Sequence, residues 1–355
     1  MCRDRAARSK VGAGNDKNEC RNEKGECRPA ICPLDRTHTS SALFSLRGLT
    51  LKEETEKKIV RRPILGILSI FLLFILYRVF TVYTVRSGEC RPKPVDPNLR
   101  LATFDDHGRV VTFPERVDYP PQTRPLVVVT YNIEGHDELI HADHAEKIAA
   151  MINELKPDIV GLQEVHRGTW QVRFHDQFEE IRRRTGMNGY YGRSYTNFGG
   201  EFGNAILTRG EIVSAVVHPL PSYGEPRSVL ESVVRIDGAL LNVYVTHLTA
   251  WASLNSKSRG EQLQCLAKHV RTSRYPYLLL GDLNAPPSSP EVQAFQKLEA
   301  AQLAGADITI THPRMKKRID YIFADWGWRV VEAHAVARGV SDHYPVVAEL
   351  FWSRG

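Results

Sequence analysis

One short stretch, an apolar run followed by Gly-Asp-Leu-Asn and two prolines, most constrains how this 355-residue chain can fold. The apolar run at residues 275–280 predicts a buried strand, after which Gly281 frees the backbone. Asp282 and Asn284 follow two residues apart, and side chains at that spacing point to the same side of a strand. The prolines then forbid further strand pairing. Asp and Asn also favour ordinary turns, but here a carboxylate and an amide stand together at a strand end, where sheet proteins carry their chemistry.

From Pro125 onward the sequence alternates strand and helix signals. Many strands with few, separated helices argue for two packed sheets flanked by helices, which is an α/β architecture. An Asp-Gly pair at residues 237–238 predicts a tight hairpin between two of the strands. Strands are predicted at residues 126–131, 159–162, 205–207, 213–219, 229–236, 240–247, 276–280, 319–323, 329–336 and 345–351, and helices at residues 145–155, 174–184 and 263–270.

The N-terminal segment, residues 1–62, is basic and has no apolar period, so we expect it to be disordered. It holds 15 Lys and Arg against 9 Asp and Glu, which equals the whole net charge of +6. The remainder of the chain holds 32 residues of each sign. A long-range attraction to nucleic acid is therefore not visible beyond residue 62, although a local basic patch stays open.

An apolar stretch at residues 63–85 predicts one transmembrane helix, because a bilayer needs roughly 20 apolar residues. Arg78 interrupts it near its C-terminal end, where a long side chain can reach the interface. A buried core helix is the alternative, but core helices rarely run this long without a polar face. Positive residues are denser before the stretch than after it. This bias favours a single-pass membrane protein with a cytoplasmic N-terminus and its C-terminal domain outside.

Six prolines between residues 86 and 124 predict an extended linker with one short strand at residues 110–113. The chain has six cysteines, and among them Cys20, Cys27 and Cys32 lack the short paired spacing of a zinc site. Cys265 stands alone in a predicted helix. We interpret it as a small core residue rather than a nucleophile.

Polar side chains with complementary chemistry follow the predicted strands at six places. Hard cations such as Mg²⁺ take oxygen ligands and keep one or two protein carboxylates. Phosphoryl transfer also needs an activated water and positive charge around its transition state. Each residue alone is explained more simply as a solvated carboxylate, a core histidine or a surface ion-pair partner, but six coincidences favour a catalytic site. The residues are Asn132, Glu164, His247, Asp282 with Asn284, Asp320, and Asp342 with His343.

Seven short motifs, in this order along residues 125–352, resemble those of the endonuclease/exonuclease/phosphatase superfamily. That superfamily of metal-dependent phosphoesterases includes deoxyribonuclease I, exonuclease III-type repair enzymes, neutral sphingomyelinases and inositol polyphosphate 5-phosphatases. Any one motif alone is weak, and the set is specific. The motifs are Thr130-Tyr131-Asn132-Ile133, Leu162-Gln163-Glu164-Val165, Gly203-Asn204-Ala205-Ile206-Leu207, Thr246-His247-Leu248, Gly281-Asp282-Leu283-Asn284, Arg318-Ile319-Asp320-Tyr321-Ile322-Phe323 and Ser341-Asp342-His343-Tyr344-Pro345-Val346.

The resemblance implies a four-layer α/β sandwich over residues 125–355 and a role for each matching residue. It implies Mg²⁺ as the cofactor, with Mn²⁺ as the alternative ion. Three histidines after the first strand, His136, His141 and His144, are interpreted as solvated rather than as a second metal site. The implied metal-site residues are Glu164, Asn132 and Asp342, with Glu134 as a further acidic group nearby. The implied catalytic residues are Asp282, which acts on the attacking water, Asn284, His247, and His343 with its partner Asp320. The implied substrate-binding residues are Asn204 and Arg227.

The activity that the resemblance implies is hydrolysis of a phosphate ester by in-line attack of water, without a covalent enzyme intermediate. A phosphodiesterase or nuclease is the first interpretation, and a membrane-proximal lipid phosphodiesterase of sphingomyelinase type is the enzymatic alternative. An inactive phosphodiester-binding module is the alternative from another class. The expected partners are therefore a nucleic acid or a phospholipid head group and the membrane, with no protein partner evident. The family's usual phenylalanine is Leu283 here, and neither long DNA-gripping insertions nor an inositol-phosphatase signature is found.

Overall fold

The structure is a computed structural model that describes residues 66–76, 86–92, 103–104, 110–112, 121–197, 199–250, 252–299, 301–325 and 327–352. Within these ranges the strands are β1 (Arg86–Ser87), β2 (Thr103–Phe104), β3 (Val110–Thr112), β4 (Leu126–Asn132), β5 (Ile159–Arg167), β6 (Asn188–Asn197), β7 (Gly200–Thr208), β8 (Glu211–Leu220), β9 (Ser222–Tyr223), β10 (Arg227–Ile236), β11 (Ala239–His247), β12 (Tyr277–Asp282), β13 (Gln302–Leu303), β14 (Asp320–Ala324), β15 (Trp328–Ala335) and β16 (Val346–Trp352). The helices are α1 (66–76), α2 (His144–Leu155), α3 (Gln177–Thr185), α4 (Ala252–Val270) and α5 (Pro290–Glu299), with 3₁₀ helices at Gly135–Leu139 and Trp170–Val172.

Two six-stranded mixed sheets organise the fold. Sheet I has the strand order β13-β14-β12-β11-β10-β8, and sheet II has the order β15-β16-β4-β5-β7-β6. Each sheet has one parallel pair at its centre, β11 with β12 in sheet I and β4 with β5 in sheet II, and its other pairs are antiparallel. The two sheets therefore share one strand pattern.

The core consists of three layers of contacts. Val128 and Leu280 belong to a cluster between the two sheets. The next residue of the same strand in sheet II, Val129, packs instead with α2 and α3, because neighbouring side chains of a strand point to opposite faces. On the other side, Leu279 of sheet I packs in a cluster with residues of α4 and α5. The predicted sandwich of two packed sheets flanked by helices is confirmed.

The predicted strands and helices from Pro125 onward are present with shifted ends. The predicted helix at residues 263–270 is the second half of α4. Among the longer elements, β6 and α5 were not predicted. Strand β6 is a polar, partly exposed edge strand without apolar alternation, and α5 follows a loop rich in Pro and Ser, with Pro290 at its first position as helix geometry allows. The hairpin turn is confirmed, with positive φ at both Asp237 and Gly238.

The N-terminal part of the chain is described only in pieces. Residues 66–76 are helical with exposed apolar side chains, and among the described residues no helix is long and apolar enough to cross a membrane. The remainder of the predicted 63–85 span and the predicted disordered segment 1–62 lie outside the described residues. The short strand predicted at residues 110–113 is β3.

The start of the predicted linker is built into the sandwich domain. β1 pairs with β9, and Gly88 follows with φ +76° at a point where a Cβ atom would lie 2.2 Å from the Leu220 carbonyl oxygen. Cys90 then forms a disulfide with Cys265 of α4. Cys265 is a buried core residue as predicted, whereas its disulfide with Cys90 was not predicted.

Candidate active site

The carboxyl ends of the two central parallel pairs open into one cavity of about 1110 Å³. His247 and Asp282 are register partners at the ends of β11 and β12, and Asp320 faces Asp282 from the start of β14. Sheet II contributes Asn132 at the end of β4 and Glu164 within β5. The loop before β16 joins them, because Ser341 Oγ donates to the Asn132 carbonyl and accepts from the His343 amide. The cavity lining includes Glu134, His136, Glu164, Arg227, His247, Asp282, Asn284, Asp342 and His343.

Asp282 lies at the centre of these groups. Its Oδ2 accepts a hydrogen bond from Asn132 Nδ2 at 3.1 Å, and its Oδ1 accepts one from the Asn284 amide at 2.8 Å. The Nε2 atoms of His247 and His343 each lie 3.7 Å from the same Oδ2. Burial and the nearby charge of Asp320 raise the pKa of Asp282 to about 7. A carboxylate with that pKa can accept a proton from water near neutral pH.

His343 is held in a protonated state by its carboxylate neighbours. Its Nδ1 donates to Asp320 Oδ2 at 2.9 Å, so the predicted pairing of these two residues is confirmed. Burial alone lowers the pKa of His343, but the charges of Asp320 and Asp282 outweigh it and raise the pKa to about 10. Its Nε2–H therefore points into the cavity as a charged donor.

His247 has the opposite electrostatic surroundings. Its Nδ1 accepts a hydrogen bond from Arg227 Nη1 at 2.9 Å, which leaves the ring proton on Nε2. Burial and the guanidinium of Arg227 hold the pKa of His247 well below its usual value. Its Nε2 lies 3.0 Å from the side-chain Nδ2 of Asn284, and the same Nδ2 donates to the Leu248 carbonyl. The cavity thus has one charged and one neutral imidazole on either side of Asp282.

Glu164 reaches the cavity through an irregularity in β5. The register with β7 shifts between Leu162 and Val165, and Glu164 has φ +60° within this bulge. Its Oε1 accepts from Asn132 Nδ2 at 3.0 Å, and its Oε2 lies 3.8 Å from His136 Nδ1. Burial raises the pKa of Glu164, but the contacts with His136 and Asn132 outweigh it and hold the pKa well below its usual range. Asn284 and Glu134 also have positive φ values, 51° and 48°.

The oxygen donors beside Glu164 suit a divalent cation. Glu134 and Asp342 are adjacent, since the Asp342 amide donates to Glu134 Oε2 at 2.8 Å, and burial and the charge of Asp342 raise the pKa of Glu134. Four basic side chains lie 3.4 to 3.9 Å from the carboxylate oxygens of this pair: the exposed His136 and Arg314, and the buried His312 and His343. An oxygen-rich site of this kind matches the ligand preference of Mg²⁺.

The structure brings most of the predicted site residues together. Arg227 lines the cavity, whereas Asn204 is buried outside the lining and donates to the Ser228 carbonyl at 3.2 Å. Asn132 directs its amide nitrogen at Glu164 and Asp282, so in this arrangement it bridges the two carboxylates. The functional roles of these residues remain predictions.

The interpretation of the histidines after the first strand is wrong in part. His144 is fully buried, with Nε2 2.6 Å from the Ile133 carbonyl oxygen. His136 and His141 are exposed as predicted, and His136 also lies 3.8 to 3.9 Å from the carboxylate oxygens of Glu164 and Glu134. Sequence reasoning also missed His312, whose Nε2 lies 3.4 Å from Asp342 Oδ2. A histidine between Thr and Pro in an irregular segment has no pattern that would have indicated this.

Comparison with known proteins agrees with this geometry. The chain is similar to an endonuclease/exonuclease/phosphatase from Beutenbergia cavernae DSM 12333, at 26% identity and TM-score 0.55 over 64% of this chain and 72% of that one. Two further structures show likeness of fold. They are the mannosyl-6-phosphatase Bt3783 of Bacteroides thetaiotaomicron VPI-5482 (21% identity, TM-score 0.53, 64% of this chain and 100% of that one) and D. rerio TDP2 in complex with a single-strand DNA product (19%, 0.53, 64% and 98%). A comparison with curated protein sequences gives no match.

The Endonuclease/Exonuclease/phosphatase family profile matches residues 129–343. This span is more than half of the 355-residue chain and contains Asn132, Glu164, His247, Asp282 and His343. Two packed mixed sheets with catalytic-type residues at their adjoining strand ends are consistent with the match. The protein therefore belongs to the Endonuclease/Exonuclease/phosphatase family.

Proposed function

We propose that this protein hydrolyses phosphate esters with the help of a divalent cation, and that phosphodiesters are its substrates. The observation that carries the proposal is the surroundings of Asp282 Oδ2. This oxygen has two histidine Nε2 atoms at 3.7 Å and a bridging amide that connects it to Glu164. A proton acceptor, two donors and a carboxylate suited to a cation are the groups that phosphoryl transfer to water requires.

The proposed chemistry assigns one task to each group. Asp282, with its pKa raised to about 7, accepts the proton of the attacking water. The water oxygen bonds to phosphorus while the ester oxygen leaves on the opposite side. The charged Nε2–H of His343 and the neutral Nε2–H of His247 donate to the phosphoryl oxygens as negative charge develops.

The carboxylates of Glu164, Glu134 and Asp342, which line the same cavity, would hold a divalent cation by their donor chemistry. When bound, such an ion stabilises the charge of the phosphoryl group as a Lewis acid. Mg²⁺ is the proposed ion, and Mn²⁺ is the alternative. Asn132 and His136 position the Glu164 carboxylate for this role.

The decisive experiment is a phosphoesterase assay of the purified full chain with Mg²⁺, with Mn²⁺ and with a chelator. The assay should compare single-stranded DNA, RNA, sphingomyelin, anionic phospholipids and inositol phosphates. The structural relatives justify this range, because one is named a mannosyl-6-phosphatase and another is bound to a single-strand DNA product. Metal-dependent release of product is expected. If the chain binds phosphodiesters but hydrolyses none with any divalent metal, it is a binding module instead.

Two substrate classes are candidates within this activity, nucleic acids and phospholipids. We propose a lipid phosphodiesterase rather than a nuclease. It is supported by a domain whose charge beyond residue 62 is balanced and by the apolar stretch at residues 63–85. We also propose that this stretch spans the membrane once with the catalytic domain outside the cytoplasm. The Cys90–Cys265 disulfide supports that orientation, since disulfides persist in oxidising compartments.

The orientation can be tested by alkylation in intact cells. If Cys90 and Cys265 are joined in cells, they resist a thiol reagent until a reductant is added. A cysteine placed near Gly355 should react with a membrane-impermeant reagent before lysis. Labelling of that position only after lysis would reverse the proposed orientation.

A further inference from the structure

We propose that the mouth of the active-site cavity is a docking surface for an anionic lipid bilayer. Two groups of exposed residues form it. The apolar rim consists of Leu139, Ile140, Trp170 and Phe174, and the basic turn consists of residues 314–317, Arg-Met-Lys-Lys. This surface would bring a membrane phosphoester to the active site. Only the identity of the substrate rests on the proposed function.

The apolar rim is built by the two 3₁₀ helices. Ile140 and Phe174 are 73% and 71% exposed, and Leu139 and Trp170 are also exposed. Arg173 Nη2 donates to the Leu139 carbonyl at 3.0 Å and thereby joins the two segments. Four large apolar side chains exposed together form the kind of patch that marks an interaction site.

The basic turn carries three cations and an exposed methionine. The Lys316 amide donates to the Pro313 carbonyl at 3.1 Å, and His312 and Lys317 form a bridge that closes the turn. Arg314 lies 3.6 Å from Glu134. Lys316 and Lys317 make no recorded ion pair with another residue that the structure describes, so both ammonium groups are available to an anionic partner.

The rim and the turn lie on the same cavity. Leu139, Trp170, Met315 and Lys317 all belong to its lining. Both groups also meet at Glu134, which is contacted by Arg314 of the turn and by His136 of the first 3₁₀ helix. A surface that docks on the rim and the turn would therefore cover the entrance to the site.

The chemistry of these residues favours a bilayer over a nucleic acid. Leu139 and Ile140 have no flat face on which a base could stack, whereas aliphatic and Trp side chains with neighbouring Lys and Arg are typical of the membrane interface. Each lysine near an anionic leaflet strengthens binding roughly fivefold. The chain itself also supplies proximity, because the proposed membrane span at residues 63–85 ends directly before Arg86, the first residue of β1.

The test uses the full chain in nanodiscs of phosphatidylcholine alone or mixed with phosphatidylglycerol. Hydrogen exchange should be measured for peptides covering residues 139–142, 170–175 and 313–317. We expect slower exchange in all three when phosphatidylglycerol is present, and no change in the exposed strand at residues 211–217. Equal exchange in the two lipids and in detergent would overturn the proposal, and protection by a single-stranded oligonucleotide instead would assign the surface to nucleic acid.

Variants separate docking from catalysis. Ile140→Ser with Phe174→Ser should lower turnover of a phosphoester embedded in anionic vesicles several-fold and leave turnover of a soluble aryl phosphodiester unchanged. Val213→Ser with Val331→Ser is the matched control, because these side chains are 44% and 47% exposed and lie outside the cavity lining. An equal loss with both pairs, or a loss on the soluble ester, would contradict docking by the rim. If the parent hydrolyses no ester, the exchange experiment still decides whether the surface binds lipid.

Discussion

The two sheets have the same strand pattern but bring different chemistry to the site. The central strand β4 of sheet II ends in Asn132, and its counterpart β12 of sheet I ends in Asp282. The neighbouring strands β5 and β11 contribute Glu164 and His247 in the same way. In the proposed mechanism, sheet II therefore supplies carboxylates for the cation, and sheet I supplies the proton acceptor and a neutral donor. The comparison shows that the shared strand pattern fixes where the side chains lie at the strand ends. The identity of those side chains determines what each sheet contributes to the site.

The strongest test of this division is Asp282→Asn, which makes the end of β12 resemble the end of β4. Loss of the proton acceptor should lower kcat by roughly 10²–10⁴, as measured with saturating Mg²⁺. Thermal unfolding should change little, because burial already raises the pKa of Asp282 to about 7 and a neutral amide fits the site. Asp325→Asn is the control, since Asp325 is also a buried carboxyl with its pKa raised to about 7 but lies away from the cavity. Near-parental kcat in Asp282→Asn would remove the residue from the mechanism.

On the other sheet, Glu164→Gln should act on the metal. The variant keeps the hydrogen bond from Asn132 but loses the negative charge. The Mg²⁺ concentration for half-maximal rate should therefore rise by roughly 100-fold or more, because replacing even a residue that only supports a metal ligand weakens metal binding by roughly 10–100-fold. Glu138→Gln is the matched change, because Glu138 is buried on the neighbouring 3₁₀ helix outside the cavity lining. An unchanged Mg²⁺ titration in a folded Glu164 variant would refute the metal role.

Arg227→Gln tests the neutral histidine. The guanidinium fixes the Nδ1 acceptor of His247 and adds buried positive charge to the cavity. Losing a hydrogen bond to a charged group costs about 1.5–3 kcal/mol, so kcat/KM should fall roughly tenfold or more, mainly through KM. Arg259→Gln removes another buried arginine that lines the same cavity and pairs with Glu291, and a smaller loss is expected there. Equal losses would show that buried charge in general, rather than the His247 contact, is responsible.

Asp320→Asn tests the charged histidine through pH. The carboxylate raises the pKa of His343 to about 10, so the protonated donor is present at neutral pH and is lost as the pH rises through that value. The amide still accepts from Nδ1 but removes the charge, and the pKa of His343 should therefore fall. We expect the alkaline limb of kcat/KM to move to lower pH with a small loss at pH 6. A limb that stays in place would assign the alkaline ionisation to another group.

The smallest effect on turnover is expected for the joint change of Cys90→Ser and Cys265→Ser. The disulfide ties the entry of the chain to sheet I and its helix α4, and nothing comparable is described on sheet II. Removing a native disulfide costs roughly 2–5 kcal/mol of stability, so Tm should fall while kcat at 25 °C stays within about twofold. Loss of kcat with unchanged Tm would show instead that the disulfide positions the site.

The sequence predicted the parts of the molecule that depend on local pattern. The apolar runs located the central strands, and the motif resemblance identified Asp320 as the partner of His343, which the 2.9 Å contact confirms. Strand β6 was not predicted, because a partly exposed edge strand needs no apolar alternation.

Other features depend on distances between remote segments. The pairing of Cys90 with Cys265, 175 residues apart, cannot be deduced from spacing. The position of His136 also depends on how its short 3₁₀ helix packs beside Glu164. The opposite electrostatic states of His247 and His343 follow from burial and from neighbours in other strands, which no single motif encodes.

The left-handed conformation of Glu164 has a consequence for how this protein can change. A side chain held at φ +60° in a strand costs on the order of 1–3 kcal/mol, and Glu134 and Asn284 are held in the same region. Replacing Glu164 by glycine would relieve that strain and at the same time remove the proposed cation ligand. The domain is thus less stable than variants that lack the strained residues would be. Selection for folding stability alone would favour the loss of these residues. If Glu164 binds the cation as proposed, the bulge in β5 is a feature kept for function at a cost in folding stability.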